Sequence, residues 1–265
     1  MTDISAAMVK ELRDATSAGM MDCKRALEET AGDFDAAIKL LREKGIASAA
    51  KRAGRETTEG IVLARADGDT AALVAVGCET EPVSKNEDFR AYADEVLATV
   101  FERGEEAAAA ELEERRTELT ARLGENIQIA GARRMTVTNG ETFAVYVHPP
   151  ANKVGVLLKV RGGSPELARQ LAMHISFARP TYSSRDEVPA ELVASEREIL
   201  SRLPDVESKP ADVREKIIEG MLNKRFYAES VLGEQGWIHD TSLSVTKALE
   251  HGGLELMDYA WFSVG

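Results

Sequence analysis

The apolar residues of this chain change period along its length, and that change restricts the fold more than any other feature. Up to residue 45 they recur at helical spacing; from Glu59 they recur as strands. Ile61-Val62-Leu63-Ala64 and Ala71 to Val76 flank an Asp67-Gly68-Asp69 turn, which reads as a β-hairpin. A helix from about Asp88 to Glu102 follows, with Phe89, Tyr92, Ala93, Val96, Leu97 and Val100 as its apolar face. Next come a highly charged helix over about 105–123 and a strand at Ile127-Gln128-Ile129. The pattern then recurs loosely. Phe143 to Val147 is a strand, Pro149-Pro150 opens a loop, Val154 to Val160 is the return strand, and Pro165 to Phe177 is a helix. A repeated strand–loop–strand–helix unit points to an α+β fold, with a two-lobed core of antiparallel sheets and packed helices.

Helices flank this core in the sequence. Residues 4–45 predict three short ones. The first presents Met8, Val9 and Leu12, and the second, from about Met20 to Thr30, turns Cys23, Ala26 and Leu27 inward. The third is capped by Gly32-Asp33, buries Phe34, Ala37, Ile38 and Leu41, and ends at Gly45. Together they form a module of the ubiquitin-associated type, followed by a partly helical linker over 46–59. Residues 184–228 predict an inserted antiparallel helical hairpin, with Pro189 and Pro210 in the first turns and Pro204 to Pro210 between the helices. Leu192, Val193, Ile199, Leu200 and Leu203 form one inner face; Val213, Ile217, Met221 and Leu222 form the other. Leu254 to Val264 is the closing strand. The expected divisions are 1–55 for the helical module with its linker, 56–140 for the first lobe, 141–183 with 229–265 for the second, and 184–228 for the hairpin.

The function classes narrow by elimination. The net charge of −12 argues against broad binding to a phosphate backbone. No apolar run reaches the ~18 residues of a membrane span, and MTDISAAMVKELRD reads as a charged amphipathic helix instead of a signal peptide. Cys23 and Cys78 fit neither a disulfide framework nor a metal spacing, so a reduced, cytoplasmic protein is expected. Both read as small core residues. His148, His174, His239 and His251 are scattered, and no phosphate-loop, dinucleotide, nucleophile-elbow or zincin motif occurs. The acidic run Glu102–Glu118, interleaved with arginines, reads as a solvated helix face. No enzyme, cofactor or metal centre is expected. What stands out is LRDATSAGMMDCKRAL, where a Ser-Ala-Gly turn is followed by Met20 and Met21. Flexible thioethers beside a turn suit an adaptable contact surface, although helical spacing equally allows core packing.

That run closely resembles the N-terminal signature of elongation factor Ts, the bacterial guanine-nucleotide exchange factor of translation. The resemblance continues, in family order, through GCETEPVSKNEDF, GENIQIAGARR, YVHPPANKVGVLL, LAMHISFARP, KPADVREKIIEGMLNKRFYAES and GWIHDTSLSV. It implies a factor that binds elongation factor Tu, disturbs its Mg²⁺ and phosphate site, and promotes GDP release, in a one-to-one or two-by-two complex. It implies contacts from Arg13, Met20, Met21 and Lys24, from Thr80, Glu81, Pro82 and Val83, from Leu123 and Gly124, from His148, and from Ile238 and His239. Two departures stand out. Glu81-Pro82 replaces the family's usual Asp-Phe, which leaves a longer carboxylate and a smaller apolar wedge. The chain also stops at Gly265, so the additional C-terminal helical module of some members is expected to be absent. A non-catalytic adaptor or chaperone-like protein using the N-terminal module is the alternative.

Overall fold

The computed structural model describes residues 4–16 and 18–265. Helices and antiparallel sheets alternate as an α+β fold, and the chain divides into two compact units. The first comprises Met1–Thr136, Val147–Gly155 and Phe262–Gly265; the second comprises Val137–Tyr146 and Val156–Trp261.

The first unit begins with α1 (Ala6–Thr16), α2 (Met20–Glu29) and α3 (Phe34–Arg52). Val9, Leu12, Cys23, Ala26, Leu27 and Ala37 close a small core, with Met8, Phe34, Ile38 and Leu41 partly buried around it. Asp33 caps α3 by accepting the Ala36 N–H at 3.0 Å. Ser17, the first residue of the expected turn, and residues 1–3 lie outside the described residues.

The expected stop at Gly45 is corrected: α3 runs on to Arg52. A Cβ at Gly45 would stand 3.1 Å from Ala121 Cβ, on a helix that α3 crosses there. Glycine admits that close approach, so its role is packing and not termination. Arg42 and Glu114 pair across the same two helices.

β1 (Glu59–Asp67) and β2 (Thr70–Cys78) form the expected hairpin, with Asp67 opposite Thr70 and Glu59 opposite Cys78. β2 is the central strand and is buried on both faces. Ala72, Val74, Val76 and Cys78 meet Phe89, Tyr92, Ala93, Val96 and Val100. The latter lie on α5 (Glu87–Arg103), which follows the four-residue α4 (Glu81–Ser84). The charged run is not one helix but α6 (Glu105–Glu111) and α7 (Glu113–Leu123), broken at Leu112. Leu112 packs against the core, and the new start places Glu113 and Glu114 where a helix N-terminus favours acids. β3 (Gln128–Thr136) is much longer than the expected Ile127–Ile129. Gly131, Arg133 and Arg134 hide its alternation, and Ala130 is an extra residue in its ladder with β2.

In the second unit the sheet order is β4 (Glu141–Val147), β5 (Val154–Gly162), then β6. Helix α8 (Pro165–Ala178) is capped by Ser164. Next come α9 (Ala190–Ser201), a short α10 (Pro204–Glu207), α11 (Ala211–Met221), a π-helical stretch at Leu222–Tyr227 and α12 (Ala228–Ser230). α13 (Val245–Gly252) and β6 (Leu254–Ser263) close the unit. Its core joins Val156, Leu158 and Val160 to Leu171, Ile175, Trp237 and Val245. Pro189 and Pro210 precede α9 and α11 by one residue instead of lying in their first turns.

The expected inner faces of α9 and α11 need correction. Leu200, Val206, Ile218 and Leu222 form the buried cluster, whereas Leu192, Ile199 and Val213 are exposed. Ile199 and Leu200 are successive residues ~100° apart on a helix, so both cannot face one seam. Arg197 bridges the two helices instead, pairing with Glu215 and with Glu219 at 2.8 Å.

Candidate functional site

The Thr80–Val83 segment leaves the end of β2 with its tip outward. Glu81 and Pro82 are exposed, while Val83 turns back onto the first unit's core. Pro82 sits within the first turn of α4, where its missing N–H costs nothing. Glu81 pairs with Lys85 at 2.7 Å, and this hydrogen bond and charge hold its carboxyl below the ordinary value, with Lys153 adding to the effect. Cys78, just before the segment, is buried, and burial pushes its thiol up to about 12. It remains a protonated packing group.

Thr80 occupies the N-cap of α4 but does not cap the helix. Its hydroxyl donates to Glu125, whose other oxygen accepts the backbone N–H of Glu79 and of Thr80, each at 3.0 Å. A second set lies behind the first. Glu79 accepts the Asn126 N–H at 2.6 Å, the Asn126 amide donates to Arg55 O at 2.7 Å, and Arg55 pairs with Glu79 at 3.3 Å. These bonds bring Thr80–Val83 beside Leu123 and Gly124. Leu123 packs against the core, and Gly124 ends α7 at φ +78, a left-handed position suited to glycine. Glu79, Glu125, Asn126 and Arg55 were absent from the sequence-based set. Glu125 carries no local signal, because its partners lie 45 and 46 residues away.

The loop bearing His148 fastens to the same end of the sheet. His148 is exposed, and its N–H donates to Val154 O at 2.8 Å, across a turn containing the cis Pro149–Pro150 peptide. Asn152 O accepts the Val62 N–H at 2.7 Å, Lys153 O accepts the Val264 N–H at 2.9 Å, and the Lys153 ammonium pairs with Glu59 at 2.6 Å. Since Glu59 lies opposite Cys78, the His148 loop and the Thr80 loop are anchored at the open end of the hairpin. Lys153 acts electrostatically on both Glu81 and Cys78, as that placement requires.

The N-terminal residues form a separate exposed group. Met20 and Met21 are 46% and 61% exposed, so neither is a core residue. Both occupy the first turn of α2, after Gly19 at its N-cap. Lys24 is exposed and pairs with Glu28 at 3.7 Å; Arg13 is exposed in the last turn of α1. Inward of these, Cys23 is buried, with its thiol directed to Ala18 O at 3.7 Å.

In the second unit, Ile238 is half-buried and His239 exposed. Their loop rests on the buried His174. The Ile238 N–H donates to His174 Nδ1 at 3.3 Å, which leaves the ring proton on Nε2 to donate to Gln235 Oε1 at 3.0 Å. Gln235 donates onward to Glu229 O at 2.8 Å, and Trp237 stacks on the imidazole at 5.3 Å. Burial lowers the His174 pKa, so the ring is neutral, as this bonding requires. Phe177, 77% exposed, lines a cleft of about 250 Å³ with His174, Gln235 and Ile238. Among the described residues, no cluster of three or more His, Cys, Asp or Glu side chains is placed to hold a metal ion, and no helix is long and apolar enough to cross a membrane.

Known proteins resemble this chain along nearly its whole length. A family model described as "Elongation factor TS" matches residues 79–265, beginning at the loop that Glu125 holds. Over essentially the full chain, similar proteins include elongation factor Ts of Methylococcus capsulatus, 40% identical across 99% of this chain and 92% of its own length. That of Photorhabdus laumondii is 41% identical across 100% and 93%, and that of Aeromonas hydrophila 40% identical across 100% and 92%. The chain belongs to the elongation factor Ts family.

Proposed function

We propose that this protein is a guanine-nucleotide exchange factor that binds elongation factor Tu carrying GDP, disturbs its Mg²⁺ and phosphate site, and promotes GDP release so that GTP can reload. The observation that carries this reading is the likeness to elongation factor Ts proteins along essentially the whole chain. An adaptor acting through residues 1–55 alone would not account for a family match extending to residue 265.

The reading needs no covalent chemistry. Exchange requires the factor to bind the nucleotide-free GTPase more tightly than the loaded one, and GDP then weakens factor binding by the same ratio. Four exposed or half-buried groups are the proposed contacts: Arg13, Met20, Met21 and Lys24; Thr80 to Val83 with Leu123 and Gly124; His148; and Ile238 with His239. The methionines supply adaptable apolar area. Glu81 and Pro82 form the tip nearest the Mg²⁺ site, with less apolar area than an Asp-Phe pair. In this reading α1–α3 form a ubiquitin-associated-type module, α9 and α11 an inserted hairpin, and the lobes divide at 56–140 and at 141–183 with 229–265. The factor works in the cytoplasm, without cofactor, nucleic acid or membrane, in a one-to-one or two-by-two complex.

The test is direct. Elongation factor Tu preloaded with fluorescent GDP is mixed with catalytic amounts of this protein and excess unlabelled nucleotide. Release accelerates in proportion to the factor added; a rate unchanged from that of the GTPase alone refutes the proposal.

A further inference from the structure

The exposed tip at Glu81-Pro82 owes its shape to a residue outside it. α4 has four residues, and its N-cap hydroxyl gives the helix no bond. The amides of Glu79 and Thr80 and the Thr80 hydroxyl all donate to one carboxylate, that of Glu125. Both Glu125 oxygens are therefore engaged by the chain itself. The residue sits half-buried just after the α7 cap at Gly124, so the acceptor is mounted on the end of a helix packed on the core. Behind it, Asn126 and Glu79 tie the same strand end to Arg55.

We infer that Glu125 is a positioning residue for nucleotide exchange: its carboxylate sets the conformation in which Glu81 and Pro82 are presented to the GTPase. This rests on the exchange reading above. A short exposed segment without such an anchor samples many conformations, and binding must then bear the cost of ordering it. Anchored, the tip meets its partner already shaped. Glu125 acts through Thr80–Val83 and not on the partner.

The full-length chain is assayed by fluorescent-GDP release from elongation factor Tu, with melting temperature measured for every variant. Glu125→Ala lowers the maximal release rate about tenfold, the scale expected for losing hydrogen bonds to a charged acceptor. Glu125→Gln recovers most of the rate, because its amide oxygen still accepts both N–H groups and its NH₂ donates to the Thr80 hydroxyl. The separating measurement repeats Glu125→Ala in a Glu81→Ala/Pro82→Ala background, using stoichiometric factor to read the residual rate. There it changes release by less than about twofold, while the shift in melting temperature matches that in the parent chain. An equal loss in both backgrounds, or no recovery by Glu125→Gln in a chain that melts normally, overturns the inference. Wild-type protein that fails to accelerate release refutes the exchange reading instead, and the two failures are thereby distinguished.

Discussion

Two loops bearing proposed contacts are held by opposite kinds of group. In the first unit a half-buried carboxylate, Glu125, accepts from the chain around Thr80. In the second an imidazole with no exposed surface, His174, both accepts from Ile238 and donates to Gln235. The difference follows from depth. A carboxylate near solvent keeps its charge and can collect several donors, whereas an ion buried without a counter-charge is too costly. A neutral imidazole answers that problem, because one ring supplies one acceptor and one donor. The two anchors should therefore fail in different ways.

The largest effect is expected at the buried anchor. His174→Leu leaves the Ile238 N–H and Gln235 Oε1 without their partners, and should cost roughly 2–4 kcal/mol in urea unfolding. A loss below ~1 kcal/mol would mean that the loop rebonds elsewhere. Near the surface anchor, Asn126→Ala removes the bond to Arg55 O but leaves the Asn126 backbone N–H on Glu79, so ~1–2 kcal/mol is expected. A cost equal to that of His174→Leu would erase the contrast between the two sites.

The subtlest distinction is in pH dependence. His174 has its pKa lowered from the ordinary value of 6.5 by burial, opposed by the bond to Gln235. Between the folded and unfolded values the unfolded chain binds the additional proton, so stability rises with pH through that window. The His174 contribution is fully present above about 6.5 and declines as pH falls through the folded value. Urea melts at successively lower pH below 6.5 should show wild type losing stability faster than a His174→Gln variant. Parallel losses would show that the imidazole is not the titrating anchor.

The β1–β2 hairpin, α5, α8 and the closing strand were legible because each carries its own periodicity and end signals. Asn86 and Ser164 cap α5 and α8 with side-chain bonds that the local sequence already encodes. Local sequence does not decide the outcome where a distant neighbour does. Gly45 looks like a helix stop until Ala121 approaches it, and Ile199 looks like core until its neighbour Leu200 is the one that packs with Ile218 and Leu222. Apart from Met20 and Met21, whose thioethers beside a turn suit a contact surface, the proposed contact residues were legible only through resemblance. Their supports, Glu125, Asn126, Lys153 and His174, were not recognised as such, since each bonds to a segment tens of residues away.

The sequence by itself determined the α+β class, the helical and strand segments and, through motifs spread from Leu12 to Val245, the family. Those properties rest on short-range periodicity or on a pattern matched in order along the chain. Tertiary structure alone decided that Met20 and Met21 face outward, that the Thr80 and His148 loops share the open end of a hairpin, and that a carboxylate in one unit and a neutral imidazole in the other hold these loops. Burial and hydrogen-bond pairing are properties of what surrounds a residue, and that environment exists only once the distant segments have packed.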